Sequence, residues 1–269
     1  MPAQNSRIDR PSRLERTTTT SGARIAVLTL DHGDLNLFDA AMFDSLADDL
    51  ADLSADPPRA LLIRAEGRVV SGGVDVHLFH GKSEYEAAYL WRRTFGRIIH
   101  PLESLPCPVV FAAHALTLTA AFEMALACDL ILASPSAKFG LVERVVGLTP
   151  SMGGPQRLAQ RCGAGRAREL VMTGGRYTAE TLHEWGVVNS IHDDLDEAAL
   201  ALVTDLAEGP TRAHHATKQI IAAACNGGVA SADRITPEIS GALFATQDLR
   251  QAVSTFLTSG PGKAAFRGQ

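Results

Sequence analysis

Val109 to Ala133 is the most apolar stretch of the chain, and His114, Glu123 and Asp129 interrupt it. A membrane-spanning helix needs about 20 consecutive, predominantly apolar residues, so this stretch belongs inside a folded core. It reads as a strand at Val109 to Ala113, a helix near Ala120 to Ala127 and a second strand at Leu130 to Ala133. Short unbroken apolar runs bounded by turns are the pattern of strands covered on both faces. Ala60 to Arg64 and Val187 to Ile191 repeat it.

Helical periodicity fills the gaps between these runs. A helix is expected over Asp39 to Leu53, with Met42, Leu46, Leu50 and Leu53 on one face and Asp39 as N-cap. Strand, helix, strand in this order implies a right-handed crossover. Further helices are expected at Tyr85 to Leu102, Gln156 to Arg161, Arg166 to Thr173 and Thr178 to Trp185, with Gly186 as C-cap. Leu14 to Thr20 and Arg24 to Leu30 flank Ser21-Gly22-Ala23 as a hairpin. From Leu195 to Leu257 the pattern is mostly helical. The fold class is therefore α/β, divided into a polar tail (1–12), an α/β core (13–209) and a C-terminal helical region (210–269), with the last boundary at Glu208-Gly209-Pro210.

Composition excludes several partners. The 269 residues carry 25 Lys+Arg against 30 Asp+Glu, a net charge of -5, which disfavours nucleic acid and anionic membrane surfaces. With 46% hydrophobic and 20% charged residues the chain is globular. Cys107, Cys128, Cys162 and Cys225 form no C-x-x-C pair and no zinc spacing, which points to a reducing, cytoplasmic setting. The first 20 residues lack the apolar core of a secretory leader, and Asp9, Glu15 and Pro11 weaken the transit-like look of Arg7, Arg10, Arg13 and Arg16.

Common catalytic motifs are missing: no G-x-G-x-x-G, no phosphate-binding P-loop, no H-E-x-x-H and no G-x-S-x-G. His77 and His80 are three apart but have no evident third ligand, so no metal is expected. His214 and His215 read as a solvated helix face, and Ser151 as a helix N-cap. Two carboxylates stand apart. Glu123 interrupts Ala120 to Ala127, and Glu143 lies within Phe139 to Gly147 among apolar neighbours. Burial raises a carboxyl pKa, so each is either used chemically or paired, Arg144 and Arg157 being the available cations.

An ordered series of motifs then resembles the enoyl-CoA hydratase/isomerase, or crotonase, superfamily over residues 14–267. Ser71-Gly72-Gly73-Val74-Asp75-Val76 is similar to its first oxyanion loop. Glu123-Met-Ala-Leu-Ala-Cys-Asp129 resembles E-L-A-x-x-C-D, Phe139 to Glu143 resembles F-x-x-P-E, and Gly147 to Leu158 resembles G-x-x-P-x-x-G-G-x-Q-R-L. Thr173-Gly174 with Gly186-Val187-Val188, and Asn36-Leu37-Phe38, match further signatures.

The resemblance implies a spiral of ββα units with a C-terminal trimerisation region, forming a homotrimer or dimer of trimers. It implies an acyl-CoA or enoyl-CoA substrate, with coenzyme A as part of the substrate and no separate cofactor. By position, the Val74 and Ala120 N–H groups would form the oxyanion hole. Glu123 would be the base on water and Glu143 the acid at the α-carbon. Asn36, Leu37, Phe38, Gly72, Gly73, Asp75, Lys263 and Phe266 would contact coenzyme A. The chain departs from the pattern where hydratases show N-G-x-x-x-G-G-G: here His114-Ala115-Leu116-Thr117-Leu118-Thr119-Ala120-Ala121 carries methyl groups that narrow the approach of a thioester. Near the C-terminus, Asp248 to Ala252 replaces D-x-x-E-G. Three readings follow: a 2-enoyl-CoA hydratase, a double-bond isomerase using Glu143 alone, or a non-catalytic acyl-CoA-binding protein.

Overall fold

The computed structural model describes residues 10–269 of the chain. Strand β1 (Ser12–Thr18) pairs antiparallel with β2 (Arg24–Leu30), Leu14 opposite Leu28. Ser12, the last residue of the expected tail, is already buried in the sheet; residues 1–9 of that tail, Arg7 and Asp9 included, lie outside the described residues. Helix α1 (Ala40–Ala55) starts at Asp39, whose side chain accepts the Met42 N–H at 2.8 Å. Its Met42, Leu46, Leu50 and Leu53 side chains are wholly buried. Strand β3 (Ala60–Ala65) then lies parallel to β2.

Helix α2 (Glu84–Thr94) opens on a Ser83–Glu86 capping box. The single helix expected to Leu102 is broken: a π-helical turn at Phe95–Ile99 leads into α3 (His100–Ser104). Pro101 is the reason. It has no N–H, and its ring crowds the carbonyl four residues back, so the ladder shifts to the wider Phe95–His100 bond.

Strand β4 (Val109–Ala113), β5 (Thr117–Leu118), α4 (Ala120–Leu126), β6 (Leu130–Ala133) and β7 (Lys138–Gly140) follow. Helix α5 (Gly154–Thr173) joins the two expected helices across a break at Gly163, whose φ is 82°. After β8 (Tyr177–Thr178) and α6 (Ala179–Glu184), β9 is only Ser190–Ile191 rather than Val187 to Ile191. The Val187 and Val188 amides instead donate to the Leu182 carbonyl at the end of α6. Helices α7 (Leu195–Glu208), α8 (Thr211–Gly227), α9 (Val229–Leu243) and α10 (Gln247–Ser259) complete the chain.

The main sheet has the order β1-β2-β3-β4-β6-β9, parallel from β2 onward, and β5, β7 and β8 make a second small sheet. Bridges Phe38↔Val74 and Ser71↔Thr117 show the same pattern in the earlier turns. Each turn thus gives a strand to the main sheet, a short strand or bridge beside the second sheet, and then a helix. This is the expected α/β spiral. The continuous apolar runs are explained by cover on both faces. Leu61, Ile63 and Phe111 join the large core with α1 and α4, while Leu62, Val110, Ala112 and Leu132 pack under Leu195, Ala199 and Val203 of α7.

Helices α8 to α10 add little to either core. Lys218 ties them down through Asp129 (2.8 Å) and the Cys107 carbonyl (2.9 Å). Arg59 does the same through Thr211 Oγ1 (3.0 Å) and the Gly209 (2.7 Å) and Phe266 (3.0 Å) carbonyls. Phe244, Val253, Phe256 and Leu257 remain exposed on this region. Among the described residues no helix is long and apolar enough to cross a membrane.

One residue fixes the loops that lead to the site. Asn36 is buried with φ 46°; its side chain accepts the His32 N–H and donates to the Glu66 (2.9 Å) and Val69 (3.2 Å) carbonyls. It binds the loop after β2 to the loop after β3. Asn36→Ala leaves these backbone groups unpaired and should lower the unfolding free energy by roughly 2–3 kcal/mol in urea denaturation.

Candidate active site

The site is assembled where parallel strands end. Ser71 turns the chain after β3: its hydroxyl donates to the Asn36 carbonyl (2.7 Å) and accepts the Gly73 N–H (3.0 Å). The Gly72 N–H donates to Leu35 O (2.7 Å), and Gly73 O accepts the Phe38 N–H (2.9 Å). Gly73 adopts φ 110°, a backbone conformation that a Cβ would strain. The loop is therefore locked before Val74, whose N–H is aimed at the start of α4.

That N–H is occupied. Val74 N donates to Thr119 Oγ1 at 3.0 Å. Thr119 precedes α4 with φ 45° and ψ -117°, an outlier for a β-branched residue that costs about 1–3 kcal/mol and persists only where its surroundings enforce it. Its N–H donates to Gly140 O (2.9 Å) and its carbonyl accepts from Glu123 N (2.8 Å), which holds it at both ends. The Ala120 N–H opens α4 and, as a first-turn amide, has no partner inside the helix. The two amides named by sequence position thus meet at one place, but a hydroxyl sits against one of them.

Glu123 is 2% exposed inside α4. Its Oε1 accepts the Met152 and Gly154 N–H groups, each at 2.8 Å. Desolvation pushes its pKa up to about 7 even though these backbone bonds pull the other way. Gly154 is required for this approach, because a Cβ there would lie 2.9 Å from Glu123 Cγ and 3.0 Å from Oε1. Gly153, at φ 100°, caps α5; Ser151, expected as that cap, instead donates its hydroxyl to Thr149 O (2.8 Å).

Glu143 opens a short 3-10 helix, Glu143–Val146. Its Oε2 is buried and has no hydrogen-bond partner. Desolvation, and then repulsion from Glu123, push its pKa up to about 8. The two carboxylates therefore lie close enough to interact. Neither is ion-paired with the expected cations: Arg157 pairs with Glu103, and Arg144 donates to Thr173 O (2.7 Å). A cleft of about 460 Å³ is walled by Val76, Phe79, Leu90, Trp91, Val146 and Leu148, and neither glutamate lines it. It lies between the segment after the Ser71–Val74 loop and the segment after Glu143.

The residues proposed for coenzyme A divide. Leu37, Gly72 and Asp75 are partly exposed around the loop, whereas the Asn36 and Phe38 side chains are buried and offer only backbone. Asp75 caps the 3-10 helix Val76–Phe79 and accepts the His77 N–H (3.0 Å) and ring (2.6 Å). Lys263 is exposed and Phe266 O is held by Arg59, just before β3 begins; the tail there is pinned by Asp248, which accepts the Arg267 (2.7 Å) and Gly268 (2.8 Å) amides. This is the opposite end of the strands from the glutamates, so one chain does not bring Lys263 and Phe266 to them. Among the described residues no three His, Cys, Asp or Glu side chains could hold a metal. Sequence reasoning missed two contributors: the Met152 and Gly154 amides, signalled only by the Gly153-Gly154 pair, and the Thr119 hydroxyl.

Comparison with known proteins places the chain in a family. A family model described as enoyl-CoA hydratase/isomerase matches residues 20–268. The chain is similar to 1,2-epoxyphenylacetyl-CoA isomerase of Escherichia coli, 30% identical over 87% of this chain and 92% of that protein. It is 27% identical to 2,3-dehydroadipyl-CoA hydratase of the same organism over 87% and 92%. Among solved structures, DspI of Pseudomonas aeruginosa superposes with a TM-score of 0.84 at 27% identity, covering 95% of this chain and 97% of that one. An enoyl-CoA hydratase of Bacillus anthracis shares the fold at TM-score 0.86, 23% identity and 95% and 99% coverage.

The buried carboxylate makes stability depend on pH. The pKa of Glu123 is raised in the folded state, so the native form binds more protons, and stability present below the unfolded value is lost as pH rises through about 7. Glu123→Gln keeps an oxygen for the Met152 and Gly154 amides and removes the charge. It should raise stability by on the order of 3 kcal/mol at pH 8 and by about 1 kcal/mol or less at pH 5, read from chemical denaturation at the two pH values.

Proposed function

The chain belongs to the enoyl-CoA hydratase/isomerase family and is an enzyme of it, and from that premise we propose that it adds water across the 2,3 double bond of a 2-enoyl-CoA thioester. The observation that carries this reading is the unequal treatment of two neighbouring buried carboxylates. Glu123 receives two backbone N–H bonds, which favour its anion. Glu143 Oε2 receives none and faces the charge of Glu123, which favours its acid. Two carboxyl groups pushed apart in this way divide into base and acid.

The steps follow. Glu123 takes a proton from water as the water oxygen bonds to C3. The C2=C3 electron pair moves toward the thioester, and negative charge develops on its oxygen at the start of α4. Preorganised donors there are each worth about 2.7–4 kcal/mol. The Glu143 acid delivers its proton to C2, which yields the 3-hydroxyacyl thioester. Proton exchange between the two carboxyl groups and solvent resets the pair. The reaction requires no metal and no cofactor beyond the coenzyme A of the substrate. The acyl chain fits the 460 Å³ cleft, whose Phe79 and Trp91 rings stand 5.8 Å apart. Leu37, Gly72 and Asp75 lie where the coenzyme would leave it. The exposed apolar side chains of α8 to α10 suit assembly into a trimer or a dimer of trimers.

Hydration of crotonyl-CoA and longer 2-enoyl-CoAs tests the proposal. Glu123→Gln and Glu143→Gln should each lower kcat by about 10²–10⁴-fold. Double-bond migration in an enoyl-CoA without hydration, kept in Glu123→Gln and lost in Glu143→Gln, would assign a double-bond isomerase instead, and acyl-CoA binding without turnover a carrier. The log of kcat/KM against pH should be bell-shaped, rising as the pair loses its first proton near pH 7 and falling as it loses its second near pH 8. A rate that climbs steadily to pH 10 would contradict the acid role of Glu143.

A further inference from the structure

The position expected to present Val74 N–H to a thioester is filled by the hydroxyl of Thr119, 3.0 Å from that nitrogen. This oxygen is fixed rather than loosely placed. Thr119 is 7% exposed, its β-branched side chain has a stiff χ1, and its backbone is held at φ 45° from both ends. Gly73 leaves the room for it: a Cβ at Gly73 would stand 2.5 Å from Thr119 Oγ1 and 3.2 Å from its methyl carbon.

A hydroxyl has one proton to give and two lone pairs to receive. The Thr119 oxygen receives the Val74 N–H, and among the described residues no protein group accepts the Thr119 proton. We propose that this proton is the donor to the thioester oxygen, so that the oxyanion hole consists of Thr119 O–H and Ala120 N–H, with Val74 N–H one bond behind. The chain of bonds runs Val74 N–H to Thr119 Oγ–H to the substrate oxygen, and no covalent bond changes along it. Donation from Val74 polarises the hydroxyl and makes it a better donor as charge develops. Thr119 is then a catalytic residue, and the inference rests on the reading that a thioester occupies this site.

Thr119→Ser and Thr119→Val separate this from the alternative in which the hydroxyl swings aside and the thioester reaches Val74 directly. Two readouts are taken on each protein: kcat for enoyl-CoA hydration, and the absorption of a bound 2,4-dienoyl-CoA, which moves to longer wavelength as its carbonyl oxygen is hydrogen-bonded. Serine should keep the spectral shift and hold kcat within a few-fold. Valine should lose most of the shift and about 10²–10³-fold in kcat while still binding acyl-CoA. Thr119→Ala carries the same expectation of loss should valine crowd Gly73 and unfold the chain. A valine or alanine variant with the wild-type shift and rate overturns the proposal, as does a serine variant that loses as much as valine, or a wild type with no shift. A shift that needs the hydroxyl in a protein that hydrates nothing keeps the inference and removes the hydratase reading; hydration with a shift indifferent to the hydroxyl does the reverse.

Discussion

A carboxylate enclosed by apolar side chains has to be held by donors that cannot move away, and in this protein they are backbone amides. Glu123 takes the Met152 and Gly154 N–H groups onto one oxygen. Those amides come from the turn into α5, so α4, which carries the glutamate, and α5 are fixed against each other by the carboxylate. The arrangement also sets the direction in which the pair divides its protons. Backbone dipoles favour charge on Glu123, and that charge discourages charge on Glu143. Removing the amides would take away the donors that favour the anion of Glu123 and with them the main reason for it to act as base.

The spiral explains why these groups meet although they are far apart in sequence. Each turn ends a main-sheet strand and passes close to the second sheet before its helix begins. The Ser71–Val74 loop, the start of α4 and the Glu143 segment are successive exits of this kind, and bridges such as Ser71↔Thr117 set their spacing. Rigid strands place the loops, and small residues let them touch. The tail carrying Phe266 is tied by Arg59 and Asp248 to the opposite end of the strands, away from these loops.

The strands and helices were legible because burial on both faces writes itself as unbroken apolar runs, as at Ala60 to Arg64 and Val109 to Ala113. The glutamates were legible for the complementary reason, since a carboxylate in such a run conflicts with its surroundings. What composition and periodicity could not show is direction. Nothing in the order of residues says that Asn36 spends its side chain on loop carbonyls rather than on a ligand, or that the Val187–Val188 amides turn back to Leu182 instead of pairing with β6. Pro101 could have announced the break, because a proline inside a helical pattern removes one backbone bond and crowds the carbonyl four residues back. Partners of single hydrogen bonds belong to tertiary structure and have no local signature.

The missing glycines before α4 are the sharpest such case. Read as a string, Thr119-Ala120-Ala121 only adds bulk where a thioester must approach. In three dimensions two side chains of this segment are taken up from across the gap. Gly73 accommodates Thr119, and Gly154 accommodates Glu123, each at a distance where a Cβ would collide. An alanine at position 120 still has its N–H, so the helix start keeps its donor. The side chain at position 119 alters more than volume, because it puts a hydroxyl in line with Val74. Loss of glycine on one side of a contact is therefore not loss of the contact while the opposing residue stays glycine, and the chemistry of the pocket depends on what the new side chain presents to the substrate.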